Sequence, residues 1–367
     1  MLLRSIRLLH FKNYASAEAV FSHAFTLING LNGSGKTNLI DAVYYLCLCR
    51  SYFTRSDSSV LQHDAPYFRI DGTFSNPEGS LLITCKYLTA KKEVLRNEVP
   101  YDRISDHIGN FPVAMIAPDD INIINEGSEE RRRFLDAAIS QLDREYLHNL
   151  ILYNKYLAQR NALFKQALGG GIRPDATLVG VLNHSLALHG NAIYRARRAY
   201  LEAFTPIFRD MYSRISGGTE EADISYKSQL EEHDHLHLLL HSERDDRAAG
   251  RTTTGIHKDD LYLSVKQYPV RDTGSQGQIK SFLIALKLAQ CYMMFRSEGK
   301  QSILLLDDIF EKLDKQRLEV LFNMLQDEVF CQVFITDADT KRSMEFCKSH
   351  LPEFGHIHVN NGKIEYL

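Results

Sequence analysis

A complete phosphate-binding loop of the form G-x-x-x-x-G-K-T lies near the start of the chain and constrains the fold more than any other segment. Its members are Gly30, Leu31, Asn32, Gly33, Ser34, Gly35, Lys36 and Thr37. A β-prone apolar run over 25–29 precedes the loop, and apolar residues at helical spacing follow it over 38–46. This order of strand, loop and helix favours a nucleotide site over a glycine-rich turn that matches by chance.

The loop residues have separate expected tasks at such a site. The glycines let backbone N–H groups cradle phosphate oxygens, and the positive end of the following helix adds to their effect. We expect Lys36 to reach the β- and γ-phosphates and the Thr37 hydroxyl to hold Mg²⁺. ATP and Mg²⁺ are therefore the expected ligands.

Composition allows a large folded protein and gives no overall attraction to nucleic acid. The 367 residues suffice for two domains, or for one large domain with an inserted lobe. Hydrophobic content of 44% allows a sizeable core. The formal net charge is -3, from 43 basic and 46 acidic residues, so any DNA contact must come from local patches.

Cysteine usage and hydropathy indicate a cytoplasmic location. The six cysteines include no C-x-x-C pair, which is typical of buried free thiols in a reducing compartment. The first ten residues are too short and too interrupted by charge for a signal peptide. No run of about 18 apolar residues is present, so we expect no membrane span.

Two segments in the last hundred residues carry the remaining chemistry. Ser275, Gly277 and Gln278 open a predicted amphipathic helix over 279–295, and the N-terminus of a helix attracts anions. Apolar residues over 303–306 end in Asp307 and Asp308. A buried parallel strand would deliver these acids to the carboxyl edge of the sheet, beside the phosphate loop. There Asp307 would hold Mg²⁺, and Asp308 would orient or polarise the attacking water.

The chain before and after the loop reads as strands. A first strand over 2–11 and a second strand that runs into the loop make a hairpin-like opening. The pattern over 67–88 favours antiparallel strands, and 113–117 reads as a buried strand. A closing hairpin is expected around Asn361 and Gly362.

The middle of the chain reads as a helical lobe. Ser128 is the expected N-cap of a helix whose periodicity continues to Leu163, and a second long helix is expected over about 176–215. The break at Gly169–Gly171 and Pro174 would make the two an antiparallel pair. A mobile stretch is expected over 244–250.

The predicted fold class is therefore α/β, a P-loop ATPase head with a mixed sheet and an inserted α-helical lobe. The expected parts are residues 1–118, the N-terminal part of the head; 119–250, the helical lobe; and 251–367, the C-terminal part of the head.

Two sets of lobe residues have open interpretations. The arginines at 131–133, 195, 197 and 198 form either a phosphate-tracking surface or solvated helix faces paired with acids. Histidines 237 and 241 are four residues apart and could share a metal on a helix, but no carboxylate or cysteine completes a recognisable spacing.

The motif order is that of ABC-type ATPase heads, and over essentially its full length the chain resembles the RecF family of DNA replication and repair proteins. The residues that carry the resemblance are Phe11-Lys12-Asn13-Tyr14, the phosphate loop with Asn38 and Leu39, Ser51, 130–136, Gly255, 257–261, 275–278, 306–308 and Leu313-Asp314.

The chain departs from the family pattern at a few positions. Ile256 and Lys258 stand where the family usually has Pro and Arg, and 52–53 are Tyr-Phe where it has an aromatic-arginine pair. Asp337 follows the last core strand, where ABC transporters carry a histidine. Acids at 119–120 follow a strand suited to a Q-loop glutamine.

The resemblance implies an ATP-dependent DNA-binding protein of recombinational repair and replication-fork maintenance. It implies binding to single-strand/duplex junctions or gaps in DNA, and a homodimer with ATP held between Lys36 of one subunit and the Ser275 segment of the other. Hydrolysis would be slow and stimulated by DNA. The implied partners are the RecR and RecO mediators and, indirectly, the RecA recombinase.

Three other functions remain open on the residues alone. A transporter ATPase subunit would associate with membranes. A metabolic P-loop kinase would need neither the 275–278 segment nor dimerisation. A structural protein that merely binds nucleotide would show no effect of DNA on ATP hydrolysis.

Overall fold

The computed structural model describes residues 1–76, 79–170, 175–218, 220–311 and 313–366. The strands in chain order are β1 (Leu2–Phe11), β2 (Tyr14–Val20), β3 (Phe25–Asn29), β4 (Tyr67–Asn76), β5 (Gly79–Leu88), β6 (Lys91–Arg96), β7 (Val99–Pro100), β8 (Val113–Ile116), β9 (Ala222–Lys227), β10 (Asp260–Val265), β11 (Tyr268–Pro269), β12 (Ser302–Leu306), β13 (Phe330–Asp337), β14 (Gly355–Asn360) and β15 (Lys363–Tyr366). The α-helices are α1 (Lys36–Leu48), α2 (Asn122–Asn125), α3 (Ser128–Ser140), α4 (Arg144–Gly170), α5 (Ala176–Ser216), α6 (His235–His241), α7 (Glu243–Ala249), α8 (Val270–Thr273), α9 (Gln276–Glu298), α10 (Lys315–Met324) and α11 (Thr340–His350).

The chain divides into two compact units. One unit, here called the sheet unit, contains residues 1–121, 207–221 and 275–367. The other, the helical unit, contains 122–206 and 222–274. The division differs from the predicted parts because residues 207–221 pack in the sheet unit, while β10 pairs with β9 inside the helical unit.

A mixed six-stranded sheet places the phosphate loop and the acids side by side. Its strand order is β15-β14-β3-β13-β12-β8, and all strands except β15 run parallel. Every residue of β12 and β13 is buried, as in parallel strands that are covered on both faces. The carboxyl ends of β3, β13 and β12 therefore meet at one edge.

A second six-stranded sheet is antiparallel, in the order β2-β1-β4-β5-β6-β7. The predicted opening hairpin is confirmed as β1 and β2, but the prediction that its second strand runs into the loop is wrong. The chain leaves this sheet at Val20 and enters the mixed sheet at Phe25, because β3 pairs parallel with β13. The predicted antiparallel strands after α1 and the closing hairpin β14–β15 are confirmed.

The helical unit contains the predicted antiparallel pair as α4 and α5. Arg160 contacts Asn183 and Arg197 contacts Tyr146, so positions rise along one helix as they fall along the other. The helical periodicity does not run unbroken from Ser128, since α3 ends at Ser140 and α4 starts at Arg144. The N-cap of α3 is Gly127 rather than Ser128. Gly169 and Gly170 belong to α4, and 171–174 lie outside the described residues.

The middle of α9 is buried on all sides, so the helix is not amphipathic as predicted. Residues 281–292 are all buried, and the aromatic ring of Phe282 lies 4.6 Å from that of Phe208 at the end of α5. The predicted mobile stretch is also wrong, because it forms α7, and Asp246 of this helix is fully buried against Arg160. In the described part of the chain, no helix is long and apolar enough to cross a membrane.

Candidate functional site

The phosphate loop connects β3 to α1 and has the backbone geometry that its glycines permit. Gly33 and Gly35 have φ of +78° and +120°, values that residues with a side chain rarely adopt. A Cβ atom at Gly35 would lie 2.7 Å from Asn13 Nδ2 and 2.9 Å from the Tyr14 hydroxyl. Glycine is thus required at Gly35 both by its backbone conformation and by its close neighbours.

The turn after β1 holds the loop in place. Asn13 Nδ2 donates to the Ser34 carbonyl at 3.0 Å, and the Tyr14 hydroxyl donates to the Gly35 carbonyl at 2.9 Å. Gly362 N donates to the same Ser34 carbonyl at 3.0 Å. Sequence reasoning identified Asn13 and Tyr14 only as residues that carry a family resemblance. Their supporting role depends on a contact between distant segments, so no local pattern signals it.

Lys36 lies inside the loop with neutral partners. Its side chain is buried, and Nζ donates to the carbonyls of Gly30 at 2.8 Å and Leu31 at 3.1 Å. The nearby Ser34 hydroxyl is buried and has no hydrogen-bond partner among the described residues. A phosphate group would supply the acceptor that this hydroxyl lacks and the negative charge that Lys36 lacks.

Thr37 and Asp307 come together as expected for a magnesium site. The Thr37 hydroxyl donates to the Asp307 carboxylate at 2.9 Å, and the Thr336 hydroxyl donates to it at 2.8 Å. Hydroxyl and carboxylate oxygens are the ligands that Mg²⁺ prefers, so the residues present fit this ion. Thr336, which orients Asp307, was not identified from the sequence.

Asp308 lies at the same edge in a strained conformation. Its φ is +47°, its N–H donates to the Thr336 hydroxyl at 3.0 Å, and its Oδ1 is buried with no partner among the described residues. Burial raises the pKa of Asp308, the neighbouring Asp307 raises it further, and Lys36 opposes the shift. A carboxylate with an unused oxygen and a raised pKa suits the binding of a water or its proton.

The Ser275 segment forms the N-terminus of α9 as a capping box. Ser275 Oγ accepts from the Gln278 N–H at 3.2 Å, and Gln278 Oε1 accepts from the Ser275 N–H at 2.7 Å. Gln278 Nε2 also donates to Glu220 at 2.8 Å, and a Cβ at Gly277 would lie 3.1 Å from Arg317 Nη1. Among the described residues, no hydrogen bond joins 275–278 to the phosphate loop. Ser275 itself is exposed.

The segment that follows α1 is partly buried. Asp41 accepts from the Ser51 hydroxyl at 2.7 Å and from Lys12 Nζ at 2.7 Å. The Tyr52 hydroxyl donates to Asp120, and Lys287 Nζ lies 2.9 Å from the same carboxylate. Asp120 thus follows β8 but is held by Tyr52 and Lys287.

Of the six arginines with two open interpretations, Arg131 and Arg197 are buried in the helical unit, 132 and 133 are partly buried, and 195 and 198 are exposed. Arg131 pairs with Asp260 at 2.6 Å, and Arg197 pairs with Asp136 at 2.7 Å and Asp259 at 2.9 Å. Both arginines are buried, so neither offers a surface for a phosphate backbone. In the described ranges, no group of three or more histidine, cysteine or acidic side chains could hold a metal ion. This statement covers the segment that contains histidines 237 and 241.

Comparisons with known proteins point in one direction. The family described as RecF/RecN/SMC N terminal domain matches residues 2–351. A "DNA replication and repair protein RecF" of Parabacteroides distasonis is 40% identical over 100% of this chain and 99% of its own length. The corresponding protein of Bacteroides thetaiotaomicron is 41% identical over 100% and 99%.

Solved structures agree with these relatives. A structure described as the recombination mediator protein RecF-ATP in the RecFOR pathway has a TM-score of 0.88 and 28% identity, over 100% of this chain and 97% of that chain. The Smc head domain of Pyrococcus yayanosii has a TM-score of 0.57 and 14% identity over 100% and 97%, which shows a shared fold alone. The predicted ATPase-head fold is confirmed.

Proposed function

The chain belongs to the RecF family of DNA replication and repair proteins, and we propose that it is an ATP-driven switch that binds DNA as a dimer. ATP binds in the phosphate loop, and the energy of binding favours a closed dimer with higher affinity for DNA. Slow hydrolysis, stimulated by DNA, reopens the dimer.

The observation that carries this proposal is the Thr37–Asp307 hydrogen bond, with Lys36 and Asp308 at the same sheet edge. Bound Mg²⁺ would supply charge neutralisation at the β- and γ-phosphates. Lys36 exchanges its two carbonyl partners for phosphate oxygens, since a charged acceptor gives the stronger hydrogen bond. Asp308 orients the attacking water through its unused oxygen.

Exposure of the Ser275 segment supports completion of the site by a second subunit. Within the described residues, Ser275 Oγ acts only as an acceptor, so its proton is available for a phosphate oxygen. The capping box fixes the hydroxyl at the positive end of α9. Gln278 is engaged with Ser275 and Glu220, so we assign it to shaping the segment before any contact with nucleotide.

Family membership supports the remaining assignments. The DNA is a single-strand/duplex junction or a gap, and the dimer helps to load the RecA recombinase with the RecR and RecO mediators in the cytoplasm. Because the net charge is -3, DNA contacts come from a local surface rather than from the overall field of the protein.

Sedimentation with and without ATP and Mg²⁺, repeated with gapped duplex DNA, tests the proposal. We expect ATP to convert a monomer into a dimer that retains DNA. Ser275→Arg should leave ATP binding intact and abolish the dimer, whereas Ser349→Arg, at an exposed serine of α11, should behave as the wild type. Loss of ATP binding by monomeric Ser275→Arg would contradict the two-subunit site. A wild type that stays monomeric and ignores DNA would overturn the switch.

A further inference from the structure

Asp337 occupies a central position at the carboxyl edge of the mixed sheet. Strand β13 lies between β3 and β12, and Asp337 pairs in register with Asn29, the residue before the phosphate loop. On the other side, Ile335 pairs with Leu306, so Asp337 is level with Asp308. The side chain therefore starts between the loop and the predicted catalytic acids.

The Asp337 carboxylate is buried and only partly satisfied. Its side chain is 0% exposed, and Oδ1 accepts from Arg342 Nη2 at 2.7 Å. Oδ2 is buried with no partner among the described residues. Burial raises the pKa of Asp337, and the Arg342 guanidinium opposes that shift. The ion pair thus joins a buried anchor to a cation that reaches solvent.

Arg342 contacts Asp337 and Phe310, and the Asp337 contact uses only some of its N–H donors. It lies in the first turn of α11, and its guanidinium carbon is 5.8 Å from the centre of the Phe310 ring. The side chain is 41% exposed. A guanidinium has five N–H donors, and the Asp337 carboxylate accepts from one nitrogen, Nη2. Two anchors fix its position, so little side-chain entropy is lost when it binds a ligand.

The carboxylates at this sheet edge would repel a bound phosphate unless a cation such as Arg342 offsets their charge. Asp307, Asp308 and Asp337 lie at the ends of neighbouring strands, and Glu311 follows in the turn Ile309–Glu311. Lys36 is the cation of the loop itself. The terminal phosphate of ATP brings further negative charge to this cluster, and repulsion by the carboxylates must be offset.

We propose that Arg342, positioned by Asp337 and Phe310, is a second cationic contact for the terminal phosphate of the bound nucleotide. This inference deepens the proposed function and rests on it. Asp337 is a positioning residue that acts through Arg342.

Equilibrium binding of ADP and of a non-hydrolysable ATP analogue, each with Mg²⁺, tests the contact without turnover. Arg342→Gln should weaken binding of the analogue about tenfold and change ADP binding less than about twofold, because ADP lacks the terminal phosphate. Arg342→Lys should recover part of the loss. Asp337→Asn, which keeps an acceptor but removes the charge, should give a smaller loss. Lys341→Gln, at an exposed neighbour in the same helical turn, is the matched control.

The possible outcomes distinguish failure of the Arg342 contact from failure of the proposed function. Equal weakening of both nucleotides by Arg342→Gln, or no weakening of either, would overturn the contact while the wild type still binds ATP. A wild type that binds neither nucleotide would overturn the proposed function and this inference together. Thermal unfolding of each variant verifies the fold, and Arg342→Lys provides a second, milder variant for the same comparison.

Discussion

Two buried cations, one in each unit, have opposite kinds of partner. In the helical unit, Arg197 donates to two carboxylates, Asp136 and Asp259, and also to the Tyr146 hydroxyl and the Ile256 carbonyl. In the sheet unit, Lys36 donates to two neutral carbonyls. Both side chains are buried. The first cation forms ion pairs within the fold, and the second forms none among the described residues.

The difference shows which buried charges are available for a ligand. A buried ion pair holds a structure together, and opening it leaves an uncompensated charge. A buried cation with only carbonyl partners gains when a phosphate replaces them. One carboxylate oxygen of Asp308 and one of Asp337 are buried without a partner among the described residues, and both belong to the same sheet edge as Lys36. Ligand binding is therefore expected at the sheet edge and structural stabilisation in the helical unit.

Removing the Arg197 charge should have the largest effect on stability. Arg197→Met leaves the buried Asp259 carboxylate without its guanidinium and should lower the free energy of unfolding by about 3–5 kcal/mol. Arg198→Met, at the adjacent exposed position, should change it by less than about 0.5 kcal/mol. Urea unfolding followed by circular dichroism measures both values. Similar values for the two variants would show that the helical unit does not depend on this ion pair.

Acid should destabilise the helical unit through His235. This ring lies between Gly190 and Gly255, both ring nitrogens are buried without partners among the described residues, and burial lowers its pKa to about 4. The unfolded chain binds the proton near pH 6.5, so the stability from the neutral ring is complete above that pH and is lost as the pH falls towards 4.

The corresponding measurement is the free energy of unfolding of wild type and His235→Gln between pH 7 and pH 4. The wild type should lose about 3 kcal/mol more than the variant over this range. The comparison uses how steeply the free energy of unfolding changes with pH, so it remains valid even if the variant is less stable at every pH. Parallel curves would mean that His235 is protonated as easily in the folded protein as in the unfolded chain. His257, whose pKa burial also lowers to about 4, remains in both proteins.

Lys36 should show the reverse pattern, with a large effect on ligand binding and a small effect on folding. Lys36→Met should weaken ATP binding about 100-fold and abolish ATP-driven dimerisation, because the phosphate loses its charged donor. The unfolding free energy should change by about 1 kcal/mol or less, since only carbonyl partners are lost. Lys315→Met, at an exposed lysine of α10, is the control. Unchanged ATP binding by Lys36→Met would remove Lys36 from the site.

The parts of the fold that the sequence predicted have local signals. The phosphate loop, the buried strand before Asp307 and the turn at Asn361 and Gly362 each depend on a few adjacent residues. Parallel strands then bring Thr37 to Asp307 across 270 positions, because their carboxyl ends share one edge. For this reason the pairing of these two residues could be expected before their distance was known.

Contacts between distant segments determine the features that the sequence did not predict. Arg197 and Arg198 are adjacent and look alike in sequence, yet one is buried and the other exposed. Helical spacing places Arg197 on the face of Ile193 and Leu201, but its acceptors Asp136 and Asp259 come from distant segments that no local pattern identifies. The burial of residues 281–292 of α9 has the same origin, since Lys287 on this helix is buried against Asp120 and Tyr52.

Tyr14 offers the smallest test, which asks how far ATP binding in the sheet unit depends on the support of the phosphate loop. Tyr14→Phe removes the hydroxyl that binds the Gly35 carbonyl at 2.9 Å, so the loop loses one support while Lys36 stays in place. We expect about 1 kcal/mol less stability and ATP binding weakened about threefold. Tyr366→Phe removes a hydroxyl that binds Val20 N at 2.7 Å, away from the loop, and should leave ATP binding unchanged. Equal ATP affinities for the two variants would show that the loop keeps its shape without the turn after β1.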